Sequence, residues 1–346
     1  MTRIAINGFG RIGRTTLRYI FEHHDGEVEL VAVNDLTSIE NIIYLLKYDS
    51  VYRSFIGEIE QTAEGFKYRK KGIANDKWRE VKVLAQRDPS QLPWKDLKID
   101  VVIEATGFFA NKSGAQLHIN AGAKKCIISA PGGNDVKTIV YNVNHETLTK
   151  EDTIISAASC TTNSIAPVIK FMDESFKILV GKMTTIHAYT GNQGLVDMPA
   201  AKDLRRGRAA AQNIVPSSTG AAKAIGLVIP SVAGKLDGAA IRIPTIVGSL
   251  SDLTFVLGKK VTVEEVNAAA KAFSDKIKPT FGYNTDEIVS SDIIGSTHGS
   301  IFDATLTKVV EAKEDGKQLV TVGAWYDNEM SFVSQLVRLI LHVAKI

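Results

Sequence analysis

Cys160 stands in the run Ser156-Ala157-Ala158-Ser159-Cys160-Thr161-Thr162-Asn163, where an apolar strand gives way to a helix. Ser159 is placed to cap that helix. The thiol then falls in the first turn, where free backbone N–H groups and the positive end of the helix dipole favour thiolate, the nucleophilic form of cysteine. Hydroxyls on both sides, with the apolar stretch 165–171 behind them, mark an anchored polar helix start. Cys126 is the opposite case: Lys125-Cys126-Ile127-Ile128 is an apolar strand, and its thiol reads as a small core residue. A thiol nucleophile works with a base. Of seven histidines, His187 is the candidate, in Thr184-Thr185-Ile186-His187-Ala188-Tyr189-Thr190 where a strand enters a long loop. His23, His24 and His145 sit at a helix end or in a turn and read as surface residues.

A second set of residues is built for a cofactor. Gly8-x-Gly10-x-x-Gly13 follows a short strand at 3–7 and opens an amphipathic run to about His23. The first glycine allows a tight turn, the second lets backbone N–H groups approach a pyrophosphate, and the third lets helix and strand pack closely. The helix N-terminus supplies further free N–H groups to the anion. Asp35 ends the next strand about 20 residues on, where a carboxylate meets the adenosine ribose hydroxyls. The pattern implies a dinucleotide, and a carboxylate with no arginine after it (Leu36, Thr37 and Ser38 follow) favours NAD over NADP.

The elements that must carry these groups fall into two parts. Strands at 3–7, 29–34, 101–104 and 125–129 alternate with helices to His23, at 39–46 behind a Ser38 cap, and at 111–121. Repeated β-α-β units imply a parallel sheet covered on both faces. The pattern changes near residue 155. A helix from Cys160 to about Phe176, a strand at 183–186 and a long loop at 190–216 come first. Strands at 241–243, 249–257 and 318–324, without crossovers between them, follow. Thr262-Val263-Glu264-Glu265 is a capping box for a helix to about Phe273. The final segment, 330–346, reads as a helix that packs back on the first part.

The 346 residues suit two domains, each with its own core. A net charge of +3 is too weak by itself to indicate nucleic acid and suits an anionic small molecule equally well. Two cysteines, not in a C-x-x-C pair, are neither a disulfide framework nor a zinc set, so no metal and a reducing compartment, the cytoplasm, are expected. The N-terminus reads as a strand rather than a signal peptide, and no stretch of about 18 apolar residues suggests a membrane span.

Residues 7–13, 158–163 and 184–187, Ser218-Thr219-Gly220-Ala221-Ala222-Lys223, Ile241-Arg242-Ile243-Pro244-Thr245 and Trp325-Tyr326-Asp327-Asn328-Glu329 together resemble the glyceraldehyde-3-phosphate dehydrogenase family, in order and over essentially the whole chain. The Ser-Cys-Thr-Thr-Asn and Trp-Tyr-Asp-Asn-Glu runs are highly specific to it. The resemblance implies an α/β protein: a Rossmann-type parallel-sheet domain over residues 1–158, joined by the terminal helix 330–346, and an α+β catalytic domain over 159–329 with a mainly antiparallel sheet. It implies oxidation of glyceraldehyde 3-phosphate by NAD with uptake of inorganic phosphate, giving 1,3-bisphosphoglycerate through a thiohemiacetal and a thioester on Cys160. His187 serves as base and then, with the Cys160 N–H, stabilises the adduct oxygen. By family position, Asn7, Gly8, Gly10, Arg11, Ile12, Gly13, Asp35, Arg87, Thr106, Ser129 and Asn328 belong to the NAD site, Asn328 at the nicotinamide carboxamide. Thr190, Arg205 and Arg242 belong to the substrate phosphate, and Ser159, Thr161, Thr219 and Gly220 to the attacking phosphate. Of Arg205, Arg206 and Arg208, only Arg205 is expected to be a direct ligand. Pro199 matches the NAD-using branch. A homotetramer is usual in the family.

Three departures stand out: Asn192 where bacterial relatives often have aspartate, Val247-Gly248-Ser249 for Asn-Val-Ser, and Ser331-Phe332 for Gly-Tyr. They bear on kinetic detail rather than on the reaction. Erythrose-4-phosphate dehydrogenase is the nearest enzymatic alternative. An RNA-binding scaffold is the alternative from another class, but it has no use for a cysteine–histidine pair and two anion sites, so nucleic acid is not expected as the main partner.

Overall fold

The computed structural model describes residues 1–200 and 203–346. The chain divides into two compact units, one of Met1–Ile139, Thr147–Ala158 and Leu336–Ile346, the other of Val140–Glu146 and Ser159–Gln335.

The first unit begins with β1 (Thr2–Asn7), α1 (Arg11–His23), β2 (Val28–Asn34) and α2 (Ile39–Lys47). The antiparallel strands β3 (Gly57–Gln61), β4 (Gly65–Lys70) and β5 (Arg79–Leu84) follow. Then come β6 (Val101–Glu104), α3 (Lys112–Asn120), β7 (Lys125–Ile128), β8 (Lys137–Thr138) and β9 (Ile154–Ser156). They form one sheet in the order β3-β4-β5-β2-β1-β6-β7-β9-β8, parallel from β5 to β8. Ile4, Ala5, Ile6, Val102, Ile103, Cys126 and Ile127 are buried on consecutive positions, as a sheet covered on both faces requires. Successive strands are added on one side of β1 and then on the other, so the loop after β1 lies at the switch point where open α/β sheets bind ligands. Ser38 caps α2, its hydroxyl accepting from Asn41 N at 3.3 Å, and Asn111 caps α3.

The second unit holds α4 (Cys160–Phe176), β10 (Ile178–Ala188), β11 (Val215–Ser218), α5 (Ala221–Val228), β12 (Leu236–Ile243) and β13 (Ser249–Leu257). It continues with α6 (Val263–Lys276), β14 (Phe281–Asn284), β15 (Ser300–Glu311), β16 (Gln318–Tyr326) and the start of α7 (Met330–Val343). Its sheet runs β11-β12-β10-β13-β16-β15-β14. Most pairings are antiparallel, and β13 buries alternate residues, the period-2 pattern of a sheet with one covered face. Two pairings, β10 with β12 and β14 with β15, are parallel; neither joins two of the strands expected at 241–243, 249–257 and 318–324. The strand expected at 183–186 extends over Ile178–Ala188. The long loop contains a 3-10 turn at Leu204–Gly207 and ends at β11. The Thr262–Glu265 capping box opens α6 in both directions, at 3.2 and 2.9 Å. Leu336–Ile346, the greater part of α7, counts with the first unit.

Candidate active site

The start of α4 sets the nucleophile. Ser159 is its N-cap, with Oγ accepting from Thr162 N at 3.0 Å, so Cys160 is the first helical residue. The preceding Ala158 takes a left-handed conformation (φ 61°), a sharp turn that no sequence signal announces. Cys160 Sγ lies 3.4 Å from His187 Nε2 and 4.0 Å from Thr161 Oγ1. His187 is carried by β10, and the parallel register sets it beside Arg242 of β12.

The hydrogen bonds assign the imidazole. His187 Nδ1 lies between Ala188 O (2.7 Å), which only accepts, and Arg242 Nη1 (2.9 Å), which only donates. Because that guanidinium nitrogen already has Ala188 O as an acceptor at 3.0 Å and the carbonyl contact is the shorter, we place the proton on Nδ1, which leaves Nε2 bare toward the thiol. Burial, with the Arg242 charge adding to it, holds the His187 imidazole well below its ordinary value, at about 3. Its resting form is the neutral base. Burial pushes the Cys160 thiol up, opposed by the Arg242 guanidinium, the Thr161 hydroxyl and backbone N–H groups of the helix start. The pair at rest is therefore thiol and neutral imidazole, poised for proton transfer on attack. The helix start moderates the thiol without ionising it.

Tyr326, buried at the end of β16, buttresses both. Its hydroxyl bonds Thr161 Oγ1 (3.0 Å) and Thr185 Oγ1 (2.7 Å), and its ring meets His187 edge-on with centroids 5.8 Å apart. Nothing in the sequence marked Tyr326 or Thr185 for this role beyond their place in runs of unusual composition. Ser249 Oγ accepts from Ala188 N (3.2 Å) and donates to Asn328 Oδ1 (3.2 Å), which also accepts from Gly248 N (3.1 Å). Asn328 Nδ2 is thus the end left to meet a ligand. The helix cap beside it is Asp327, whose Oδ1 accepts from Glu329 N and Met330 N, both at 2.9 Å.

Anion donors are distributed unevenly. Arg242 Nε is buried without a hydrogen-bond partner, an arrangement that leaves a guanidinium edge for an incoming anion. Thr219 Oγ1 accepts from Ala221 N (3.2 Å) at the start of α5, and a side chain at Gly220 would meet nothing within 4 Å. Thr190 Oγ1 donates to Asn192 Oδ1 (2.8 Å), so the unusual Asn192 holds this hydroxyl. Arg205 is exposed and lines a shallow cavity with Leu204, Pro216 and Ser217. Its neighbour Arg206 is half-buried, donates to Ser218 O (3.2 Å), pairs with Asp203 (3.3 Å), and its charge presses on both His187 and Arg242. Arg205, expected as the direct ligand of this run, is thus the exposed member of the pair, and Arg206 the half-buried one. The 3-10 turn beginning at Leu204 decides which arginine faces in, and sequence spacing does not show that turn.

In the first unit a cavity of about 670 Å³ is lined by Asn7, Gly8, Gly10, Asp35, Arg87 and Thr106, six of the residues singled out for the cofactor. It is also lined by Asn34, Leu36, Gln86, Ala105, Phe108 and Phe109, which were not. The glycines fit a dinucleotide. A Cβ at Gly8 (φ 92°) would stand 2.7 Å from Thr106 N, whereas one at Gly10 would project into open space. A Cβ at Gly13 would stand 2.5 Å from Gly8 O. Gly10 offers α1 no side-chain acceptor and its first turn has no acidic residue, so the N–H groups of this helix start remain for an anion. Asp35 accepts from Phe9 N (2.8 Å) and Thr37 N (3.1 Å), tying the glycine loop to the end of β2. Arg11 pairs with Asp49, Ile12 is half-buried on α1, and Ser129 Oγ donates to Glu104 O (3.0 Å); none of these three lines the cavity.

A parallel sheet with a glycine-lined cavity at its switch point, and in the second unit a cysteine–histidine pair beside a half-buried arginine, fit the class of dinucleotide-dependent dehydrogenases that work through a thiol. Comparison with known proteins narrows this. The model of the glyceraldehyde 3-phosphate dehydrogenase NAD binding domain matches residues 2–112, and that of the C-terminal domain of the same enzyme matches 159–328. The chain is 56% identical to the glyceraldehyde-3-phosphate dehydrogenase of Clostridium acetobutylicum, across 100% of this chain and 99% of the relative. It is 55% identical to that of Clostridium pasteurianum over the same shares, and 54% identical to that of Thermotoga maritima over 97% of each. The chain belongs to the glyceraldehyde-3-phosphate dehydrogenase family; it is an oxidoreductase, and NAD is its cofactor.

Proposed function

We propose that the protein oxidises glyceraldehyde 3-phosphate with uptake of inorganic phosphate, giving 1,3-bisphosphoglycerate in glycolysis, through an acyl thioester on Cys160. The observation that carries this is the 3.4 Å approach of Cys160 Sγ to a His187 Nε2 kept bare by the Nδ1–Ala188 contact. As Sγ attacks the aldehyde carbon, its proton passes to Nε2 and the S–C bond forms. The new Nε2–H and the Cys160 backbone N–H then stabilise the oxygen that was the carbonyl. NAD, when bound, supplies the two-electron oxidation that converts this adduct to the thioester. Inorganic phosphate takes the acyl group, the S–C bond breaks, and the Cys160 sulfur regains its proton.

Arg242 is the anchor for the substrate phosphate, with Thr190 and an arginine of the 205–206 pair; half-burial and the reach of its charge favour Arg206. Ser159, Thr161, Thr219 and Gly220 hold the attacking phosphate at the helix starts of α4 and α5. Asn7, Gly8, Gly10, Asp35, Arg87 and Thr106 hold NAD, Leu36 and Phe108 give its adenine an apolar rim, and Asn328 Nδ2 takes the carboxamide. Residues 1–158 with 330–346 serve the cofactor and 159–329 the chemistry. Exposed Leu195, Val196, Met198 and Leu204 in the long loop suit burial in a homotetramer. Both cysteines are free, which suits the cytoplasm, and among the described residues no helix is long and apolar enough to cross a membrane. The matched relatives carry the glyceraldehyde-3-phosphate name, which does not favour erythrose 4-phosphate as substrate. The test is steady-state NAD reduction with each phosphorylated aldehyde, with and without phosphate. Preference for glyceraldehyde 3-phosphate and strict phosphate dependence are expected; phosphate-independent turnover would overturn the reading.

A further inference from the structure

Beneath the cofactor cavity, Asn7 and Thr106 join a chain of polar groups whose buried members, Glu104, His118 and Trp94, have no role in the reading above. Glu104, the last residue of β6, is 1% exposed in an otherwise apolar strand. Four donors converge on its carboxylate. Oε1 accepts from Thr106 N (2.8 Å) and Thr106 Oγ1 (2.5 Å), and Oε2 accepts from Asn7 Nδ2 (2.6 Å) and His118 Nε2 (3.1 Å). His118, fully buried on α3, receives Trp94 Nε1–H on its Nδ1 at 3.0 Å. Because an indole N–H only donates, His118 Nδ1 must be bare, which sets the proton on Nε2 and aims it at Glu104. The chain continues on the other side. Asn7 Oδ1 accepts from Asn34 Nδ2 (2.7 Å), and the Asn34 amide pairs with the Gln86 backbone in both directions at 2.8 Å.

Every link has one polarity. A carboxylate with four donors can only be an acceptor, so Asn7 must turn its NH2 to Glu104 and its oxygen to Asn34, and Asn34 in turn must present its oxygen to Gln86 N. The Thr106 hydroxyl proton is committed to Glu104 and its oxygen accepts from Phe108 N at 3.1 Å, so a ligand meets only the remaining lone pair. Asn7, Asn34, Gln86 and Thr106 all line the cavity, whereas Glu104, His118 and Trp94 do not. These donors outweigh the cost of burial and hold the Glu104 carboxyl below the usual carboxylate value.

We infer that Glu104 is the positioning residue of the cofactor site: its buried carboxylate, oriented by the Trp94–His118 pair, pins the ends of β1, β2 and β6 and makes Thr106 an acceptor for a donor group of the dinucleotide, a ribose hydroxyl or the carboxamide NH2. This rests on the assignment of the cavity to NAD. Glu104→Gln keeps the shape but offers one oxygen and one NH2 to four donors, so one wall is released whichever way the amide turns. Trp94→Phe leaves the cavity wall intact and frees His118 to move its proton to Nδ1.

The experiment is calorimetric titration of NAD into wild type, Glu104→Gln, Trp94→Phe, Asp35→Gly and the core control Ile127→Ala, with thermal melting of each and imidazole ¹⁵N spectra of His118. The expected result is a single Nε2–H tautomer for His118 in wild type and a mixture in Trp94→Phe. NAD affinity should fall at least tenfold in Glu104→Gln and at least threefold in Trp94→Phe, while Ile127→Ala melts earlier yet binds within twofold. If Glu104→Gln does not fold, the Trp94→Phe affinity and tautomer decide. Affinity within twofold of wild type in Trp94→Phe, or losses matched by Ile127→Ala at equal destabilisation, overturns the inference. If Asp35→Gly also binds NAD like wild type, the cavity assignment fails, and the positioning role with it.

Discussion

Arg242→Ala separates two roles that the structure gives one guanidinium. The first is electrostatic. Arg242 Nη1 lies 2.9 Å from His187 Nδ1, and two like charges centred about 4 Å apart repel by roughly 4 kcal/mol at an effective dielectric near 20. Water entering the vacated space reduces what is recovered, but about 1.4 kcal/mol already raises the proton affinity of His187 roughly tenfold. The sign follows: His187 sits at about 3 in the intact protein, so it is neutral and basic across the ordinary assay range, and the variant moves it upward. The second role is anchoring. A charge-assisted contact contributes roughly 1.5–3 kcal/mol, which corresponds to about 10- to 150-fold in kcat/KM. The assay compares glyceraldehyde 3-phosphate with unphosphorylated glyceraldehyde across pH 4 to about 8. Near neutral pH a loss confined to the phosphorylated substrate is expected, and with both substrates an acid limb at higher pH than in wild type. Equal losses on both aldehydes would make Arg242 structural. An unmoved acid limb, checked by ¹⁵N titration of His187, would refute the coupling.

Three further outcomes follow from the same geometry. Cys160→Ser should lose nearly all turnover while NAD binding, measured calorimetrically, stays unchanged; retention of more than a few per cent of activity would exclude the thiol mechanism. His187→Asn should slow the chemical step by roughly 10²–10⁴-fold, read in single-turnover kinetics. Asp35→Gly should weaken NAD and narrow its advantage over NADP, since the carboxylate that repels a 2′-phosphate is gone and Phe9 N loses its acceptor; an unchanged ratio of catalytic efficiencies would remove Asp35 from the choice of cofactor.

Where local chemistry dictates local structure, the sequence was legible. Ser159 before Cys160, Ser38 before Ile39 and Thr262 with Glu265 are caps whose donors and acceptors lie within three residues, and each opens its helix at the expected place. The glycine cradle was readable because only glycine tolerates the backbone at Gly8 and the approach at Gly13. What stayed hidden depends on partners far along the chain. β15 escaped notice because Asp303, Thr305 and Thr307 break its alternation, and the pairing with β16 shifts register between Asp303 and Lys308. β3 to β5 are short and rich in charge, so neither period stands out. In the site, the neighbourhood of His187 and Arg242 is a consequence of parallel register between strands 55 positions apart. The inward turn of Arg206 and the convergence on Glu104 have the same origin. A carboxylate ending an apolar strand looks like a strand terminus until Asn7, Thr106 and His118 are seen to close on it.

The most direct test of the central claim, that Cys160 carries the acyl group and phosphate releases it, is a single-turnover experiment without phosphate. Enzyme with excess NAD and glyceraldehyde 3-phosphate should give a burst of about one reduced cofactor per active site and then stall. Peptide mass spectrometry of the stalled enzyme should find the phosphoglyceroyl group on Cys160 and not on Cys126, which is fully buried. Added phosphate should restart turnover. Sustained reduction without phosphate, or a stalled enzyme with Cys160 unmodified, would contradict the account.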